Sequence, residues 1–194
     1  MLEQIIQDIS HQGWSYQLNV IDKERLSLLT PMFSADFAPA RVGKEQALQR
    51  LEAIRGDFIF WLDPLNVPNE LAKEFHLLEE LKQELNRNFF LGLKEFEAHL
   101  AKYPVGTFYK KHIDRFALDS SRSLSFIFYL HEEWNPEDGG ELVLYNHEGE
   151  VVKTILPTPG SMICFLSGDF PHEVKTCSRE RRSLTGWMHT KIIT

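Results

Sequence analysis

Apolar positions in the first third of the chain recur mostly at helical spacing. Leu2, Ile5, Ile6 and Ile9 share one helical face, and Gly13 is the expected stop. Asp22-Lys-Glu-Arg-Leu-Ser-Leu-Leu predicts a second helix that ends near Pro31. Phe33 to Arg41 contains Pro39, lacks periodicity and reads as a loop. Lys44 to Ile54 reads as a short helix, and Phe58-Ile-Phe-Trp61 as a buried strand. The clearest helix follows: Asn69 is the expected cap, Glu70 lies in the first turn, and Leu71, Phe75, Leu78, Leu81 and Leu85 form its apolar stripe. The period changes after Asn88. Leu93 to Tyr103 fits either period. Ser123 to Leu130, Glu141 to Tyr145, Val151 to Ile155 and Ser161 to Leu166 are short apolar or alternating runs. Asp138-Gly139-Gly140, Asn146 to Gly149 and Pro157 to Gly160 punctuate them as turns.

Helices first and regularly spaced short strands after predict an α+β fold, a sandwich or jelly roll with helices packed on one sheet. The 194 residues suit one domain: 1–92 as mainly helical support with an early strand near 58–62, and 93–194 as the jelly-roll core. A composition 43% hydrophobic and 25% charged is that of a soluble globular protein. The net charge of −7 argues against a phosphate-tracking groove, so no nucleic-acid partner is expected. Cys164 and Cys177 give no disulfide framework and point to a reducing, cytoplasmic setting. The acidic amphipathic start is no signal peptide, and no apolar run is long enough to span a membrane.

One constellation carries chemistry. His112-Ile-Asp114 is followed sixty residues after the first histidine by His172, and nine residues later by Arg181. Two imidazoles and one carboxylate form the facial triad that holds non-haem Fe(II) and leaves three positions open. On a strand, His112 and Asp114 would share a face, with Ile113 turned to the other. Arg181 supplies a forked cation for the far end of a dicarboxylate co-substrate; Arg182 competes, but strand alternation lets only one of the two face inward. The remaining histidines, His11, His76, His99, His131, His147 and His189, have no comparable context. No nucleophile motif or phosphate-cradling loop is present.

Tyr103-Pro-Val-Gly106-Thr-Phe-Tyr109-Lys-Lys-His112-Ile-Asp114 resembles the Tyr-x-x-Gly-x-x-Tyr-x-x-His-x-Asp signature of the Fe(II)/2-oxoglutarate-dependent prolyl 4-hydroxylases. His172-Glu-Val174 with Arg181 and Ser183 to Trp187 is similar to the far end of that domain. Ile54-Arg-Gly-Asp57-Phe-Ile-Phe-Trp61 resembles a stretch of the hypoxia-factor prolyl hydroxylases and their bacterial homologues. The resemblance runs from about Arg41 to Met188.

It implies a double-stranded β-helix with His112, Asp114 and His172 as iron ligands and 2-oxoglutarate and O2 as co-substrates, ascorbate being a candidate auxiliary. Arg181 would pair with the distal carboxylate, joined by Tyr129, with Thr185 and Tyr103 as further contacts. Core packing is the competing explanation for Tyr103 and Tyr109. Arg55, Asp57 and Arg122 resemble a charged set that orients a loop over the mouth and helps enclose substrate; a surface salt-bridge network is the alternative. Glu141, Trp134 and Trp187 read as structural, Trp187 with a place in the pocket wall. The implied reaction hydroxylates a prolyl residue of a protein or peptide, with translation-machinery proteins as one partner class, and releases succinate and CO2. Two alternatives stay open: an oxygenase acting on another side chain or a small molecule, and a metal-binding sensor module without turnover.

Overall fold

The computed structural model describes residues 1–41, 53–114 and 121–192. Its helices are α1 (Leu2–Gln12), α2 (Lys23–Leu29) and α3 (Ala72–Phe89). The strands are β1 (Trp14–Gln17), β2 (Ala38–Pro39), β3 (Phe58–Trp61), β4 (Glu95–Tyr103), β5 (Tyr109–His112), β6 (Arg122–Tyr129), β7 (Leu142–Tyr145), β8 (Val151–Ile155), β9 (Met162–Leu166), β10 (His172–Val174) and β11 (Arg181–His189). They form a larger sheet in the order β1-β9-β6-β11-β4-β3-β2 and a smaller one in the order β5-β10-β7-β8.

Alternation along the central strands sorts side chains into two cores. On β6, Leu124, Phe126 and Phe128 face the helices, together with Leu100, Leu184 and Met188 of neighbouring strands. Ile5, Ile9, Leu26, Leu29, Leu78, Leu81 and Leu85 meet them from α1, α2 and α3. Each fully buried leucine of α3 contributes roughly 2 kcal/mol. Ile127 and Tyr129 point the other way, into the space between the sheets, where they pack with Leu142, Leu144, Ile163 and Phe165. The helices thus cover one face of the larger sheet, and the smaller sheet lies across the other. This is the expected α+β double-stranded β-helix.

Several local expectations change. α1 ends at Gly13 as read from sequence, and Asp22 caps α2 by accepting from Arg25 N at 2.8 Å. α2 stops at Leu29, and a 3-10 turn continues over Thr30–Ser34, because Pro31 is tolerated in a first turn. Asn69 is not a cap. It begins a 3-10 turn, Asn69–Leu71, in which Leu71 N donates to Pro68 O, so the cap position of α3 falls on Leu71 with no side-chain bond. Glu74 in the first turn of α3 is buried by an ion pair with Arg25 at 2.8 Å, tying α2 to α3. β3 is not a buried strand: Phe58 and Ile59 are half-buried and Phe60 and Trp61 exposed, because only the two-residue β2 lies outside it. The loop expected over Phe33 to Arg41 contains β2, and β1 was unexpected in a largely helical first third. The ambiguous stretch is β4, a long strand between β3 and β11. The helix expected over Lys44 to Ile54 falls outside the described residues, apart from its last two, which form a turn. Among the described residues no helix is long and apolar enough to cross a membrane.

Candidate metal centre

β5 and β10 are antiparallel neighbours, and His112 and His172 are direct cross-strand partners. Their rings lie 4.2 Å apart, centre to centre. Asp114 is not on β5, as the His-x-Asp reading expected. The strand ends at His112, and the chain turns so that Asp114 closes on both imidazoles: His112 Nε2 lies 3.6 Å from Oδ1, and His172 Nε2 lies 3.5 Å from Oδ2. Ile113 between them is exposed at the rim. The three ligand atoms lie within 4.8 Å of one another.

Tautomers follow from the backbone. His112 Nδ1 is 2.8 Å from Lys110 O and His172 Nδ1 is 3.0 Å from Phe170 O. A carbonyl only accepts, so each Nδ1 carries the proton and each Nε2 offers a lone pair toward Asp114. Burial pushes the His172 imidazole down to about 4, the neutral form a ligand needs. Burial opposes ionisation of Asp114, yet the two facing histidines, when they carry Nε2 protons, outweigh it and hold the carboxyl well below the usual carboxylate range. Tyr109 stacks on His112 at 3.6 Å, and Phe165 meets His172 edge-on at 4.8 Å, so both rings are fixed. A neutral–neutral–anionic N2O donor set with both lone pairs converging on the carboxylate fits a first-row divalent ion such as Fe(II).

These residues sit in a cleft of about 520 Å³ between the sheets. Deeper in the same cleft is Arg181, at the start of β11 and 1% exposed. Among the described residues its Nε and Nη2 have no hydrogen-bond partner, and Nη1 has only a long contact to Ser183 Oγ at 3.5 Å. Tyr129 Oη, fully buried, also lacks a partner among the described residues. The guanidinium lies 4.9 Å from the Tyr129 ring and 5.1 Å from the Tyr103 ring. An uncompensated buried cation costs several kcal/mol, and burial pushes the Tyr129 phenol up to about 12, leaving it a proton donor. Cation and donor together fit a carboxylate. Thr185, two steps along the same strand face, lines the cleft and exchanges a 3.2 Å hydrogen bond with Ser183. Arg182 points away, pairing with Glu180 at 2.8 Å.

The charged set divides in two. Arg55 holds Asp57 through two bonds of 2.6 and 2.7 Å and lies over the Tyr109 ring at 4.2 Å; Asp57 is 2% exposed, which removes the surface-network alternative for this pair. Arg122 pairs instead with Glu97 at 2.7 Å and stacks on Trp187 at 3.7 Å. Both arginines line the cleft, as do Tyr103 and Tyr109. The sequence reading assigned no role to His99, which is buried on the cleft wall between Trp61 and Trp187. It also missed Ser125, whose hydroxyl bonds Asp114 Oδ2 at 2.7 Å. A lone serine in a strand carries no spacing signal that would have singled it out.

Comparison with known proteins agrees with this geometry. Residues 98–189 match the 2OG-Fe(II) oxygenase superfamily. Among solved structures, the chain is similar to a prolyl-4-hydroxylase of Pseudomonas putida: 35% identical, TM-score 0.85, over 99% of this chain and 100% of that one. It is also similar to a Trichoplax adhaerens prolyl hydroxylase, solved in complex with a hypoxia inducible factor oxygen degradation domain peptide fragment. There the identity is 26% and the TM-score 0.83, over 97% of this chain and 89% of that one. Among curated proteins, prolyl 3-hydroxylase OGFOD1 of Xenopus laevis is 35% identical over 77 residues, which are 35% of this chain and 15% of that protein. Prolyl 3,4-dihydroxylase OGFOD1 of Ostreococcus tauri is 38% identical over 85 residues, 37% of this chain and 16% of that protein, so the chain spans under a fifth of these curated relatives. With the full-length likeness to the Pseudomonas putida enzyme and the triad at the mouth of the double-stranded β-helix, the chain belongs to the 2OG-Fe(II) oxygenase superfamily.

Proposed function

We propose that this protein is an Fe(II)- and 2-oxoglutarate-dependent dioxygenase that hydroxylates a prolyl residue of a protein substrate. The observation that carries the reading is buried Arg181, which lines the same cleft as the His112-Asp114-His172 triad and packs against Tyr129, with polar atoms of both lacking hydrogen-bond partners among the described residues. In it, the triad holds the iron through His112 Nε2, His172 Nε2 and an Asp114 oxygen. Arg181 and Tyr129 bind the distal carboxylate of 2-oxoglutarate by a charge-assisted fork and a phenol hydrogen bond, and Thr185 and Tyr103 border that end. Bound iron and 2-oxoglutarate supply the activation of O2, with succinate, CO2 and a hydroxylated C–H as products. No side chain has to act as acid or base; the residues orient the reactants, and Tyr109, Ile127, Leu142 and Trp187 exclude water from the cleft.

The prolyl substrate rests on the activities of the relatives named above and on the Arg55-Gly-Asp57 stretch. Arg55, Asp57 and Arg122, on the cleft wall, border where a peptide would enter. The 194 residues act as one catalytic unit, the helices serving as the support of the larger sheet. Cys164 and Cys177 are free and buried, in keeping with work in the cytoplasm, and ascorbate is the natural reductant to include in assays. The test is incubation with Fe(II), 2-oxoglutarate, ascorbate and proline-containing peptides, reading succinate and a mass gain of one oxygen atom on proline. His112→Ala and Asp114→Ala should lose both signals. Full succinate formation by either variant would remove the triad from the reading, and oxygen on another residue would move the substrate class.

A further inference from the structure

The Asp114 carboxylate lies just past the end of β5 and is not held by that strand's ladder. Ser125 of β6 reaches it from the opposite sheet: Ser125 Oγ lies 2.7 Å from Asp114 Oδ2. Ser125 is 1% exposed, and its hydroxyl is also 2.9 Å from Ser167 Oγ, which is fully buried just past the end of β9. Direction follows from chemistry. An ionised carboxylate only accepts, so Ser125 donates its one proton to Asp114 and accepts from Ser167. The two hydroxyls form a dry, one-way relay that ends on one carboxylate oxygen, and hydrogen bonds to a charged acceptor are the strong ones.

A facial triad is useful because three single-atom ligands leave three of six positions open, two for a chelating co-substrate and one for O2. A carboxylate with both oxygens free can take two positions and close the last of these. We propose that Ser125, backed by Ser167, is a positioning residue that occupies Oδ2 and confines Asp114 to one-oxygen coordination, keeping the third position open. The inference rests on the metal site proposed above and adds to it a role for two serines outside the ligand set.

The test uses Mn(II) as a metal that reports without turnover. Its affinity is measured by titration, and its bound waters are counted from electron paramagnetic resonance line broadening in 17O-enriched water. Ser125→Ala should weaken Mn(II) binding about tenfold, in line with lost outer partners of metal ligands, and should lose one bound water. Ser125→Thr, which keeps the hydroxyl, should restore the wild-type water count and affinity. Ser167→Ala should weaken binding by a smaller factor, and this variant carries the test if Ser125→Ala does not fold. Unchanged affinity and water count in folded Ser125→Ala, or in Ser167→Ala if that variant stands alone, would overturn the proposal. An equal loss in Ser125→Thr would do so too, since it would mean packing and not the hydroxyl. Wild-type protein that binds no Mn(II) would instead overturn the metal site itself, and this inference with it.

Discussion

Arg181 and Arg182 are adjacent, share one chemistry and have opposite surroundings. Alternation on β11 turns the first into the cleft, where two of its nitrogens lack partners among the described residues, and the second outward to Glu180. Truncating one partner of a buried hydrogen-bonded charge pair costs about 2–5 kcal/mol. Arg181→Ala should therefore weaken 2-oxoglutarate binding to the Mn(II)-loaded protein by about 30-fold or more, while Arg182→Ala should leave it within about twofold. The reverse ranking in a titration would relocate the co-substrate anchor. Both arginines and the three candidate metal-holding residues were legible in the sequence, because spacing, strand period and the family resemblance carry that information. Ser125 and His99 were not: their meaning lies in what the fold sets opposite them.

β11 brings these side chains together. It pairs with β4 on one side and β6 on the other, so Arg181 stands opposite Tyr103 while Ser183 stands opposite Tyr129. Gly186, midway along it, sets how closely the three strands approach. A Cβ there would lie 2.1 Å from Glu97 O, which cannot retreat without moving β4, and 2.5 Å from the Phe126 ring, which is fully buried in the core. Gly186→Ala should destabilise the protein by about 1–3 kcal/mol or more, a melting-temperature drop of roughly 2–4 °C per kcal/mol at this length. A calorimetric scan matching wild type would contradict the close approach. The long elements announced themselves by period: α3 by its leucines, β6 by its alternating aromatics. β1 and β2 did not, since strands of four and two residues are too short to show a period, and each forms because a neighbouring edge offers it partners. Asp114 belongs to the same class. The His-x-Asp spacing singled out Asp114 as a candidate ligand, but the chain leaves the strand before reaching it.

At the scale of the molecule, packing two sheets and a helical layer buries histidines that no spacing rule would bury. Burial pushes His99 and His131 both down to about 4. In the unfolded chain they would take up protons near 6.5, in the folded protein only near 4. Their contribution is therefore intact above pH 6.5 and is lost as pH falls toward 4, each on the order of 1–3 kcal/mol. The melting temperature should fall across that window, and a His99→Gln, His131→Gln double variant should show a flatter profile. An unchanged slope would place the acid sensitivity elsewhere.

The sequence by itself pointed to the layer arrangement and the candidate metal-holding side chains, because these are written in a period or a spacing along one chain, and to Arg181 over Arg182 through its resemblance to the family's offset from the histidine. Tertiary structure alone decided that Asp114 would be gripped from β6, that Arg55 would close on Asp57 while Arg122 turned to Glu97, and that buried Arg181 would pack against the Tyr129 ring. Those outcomes depend on which strands become neighbours across two sheets. Contacts between residues far apart in sequence are set by how the buried apolar faces pack, which no local pattern encodes.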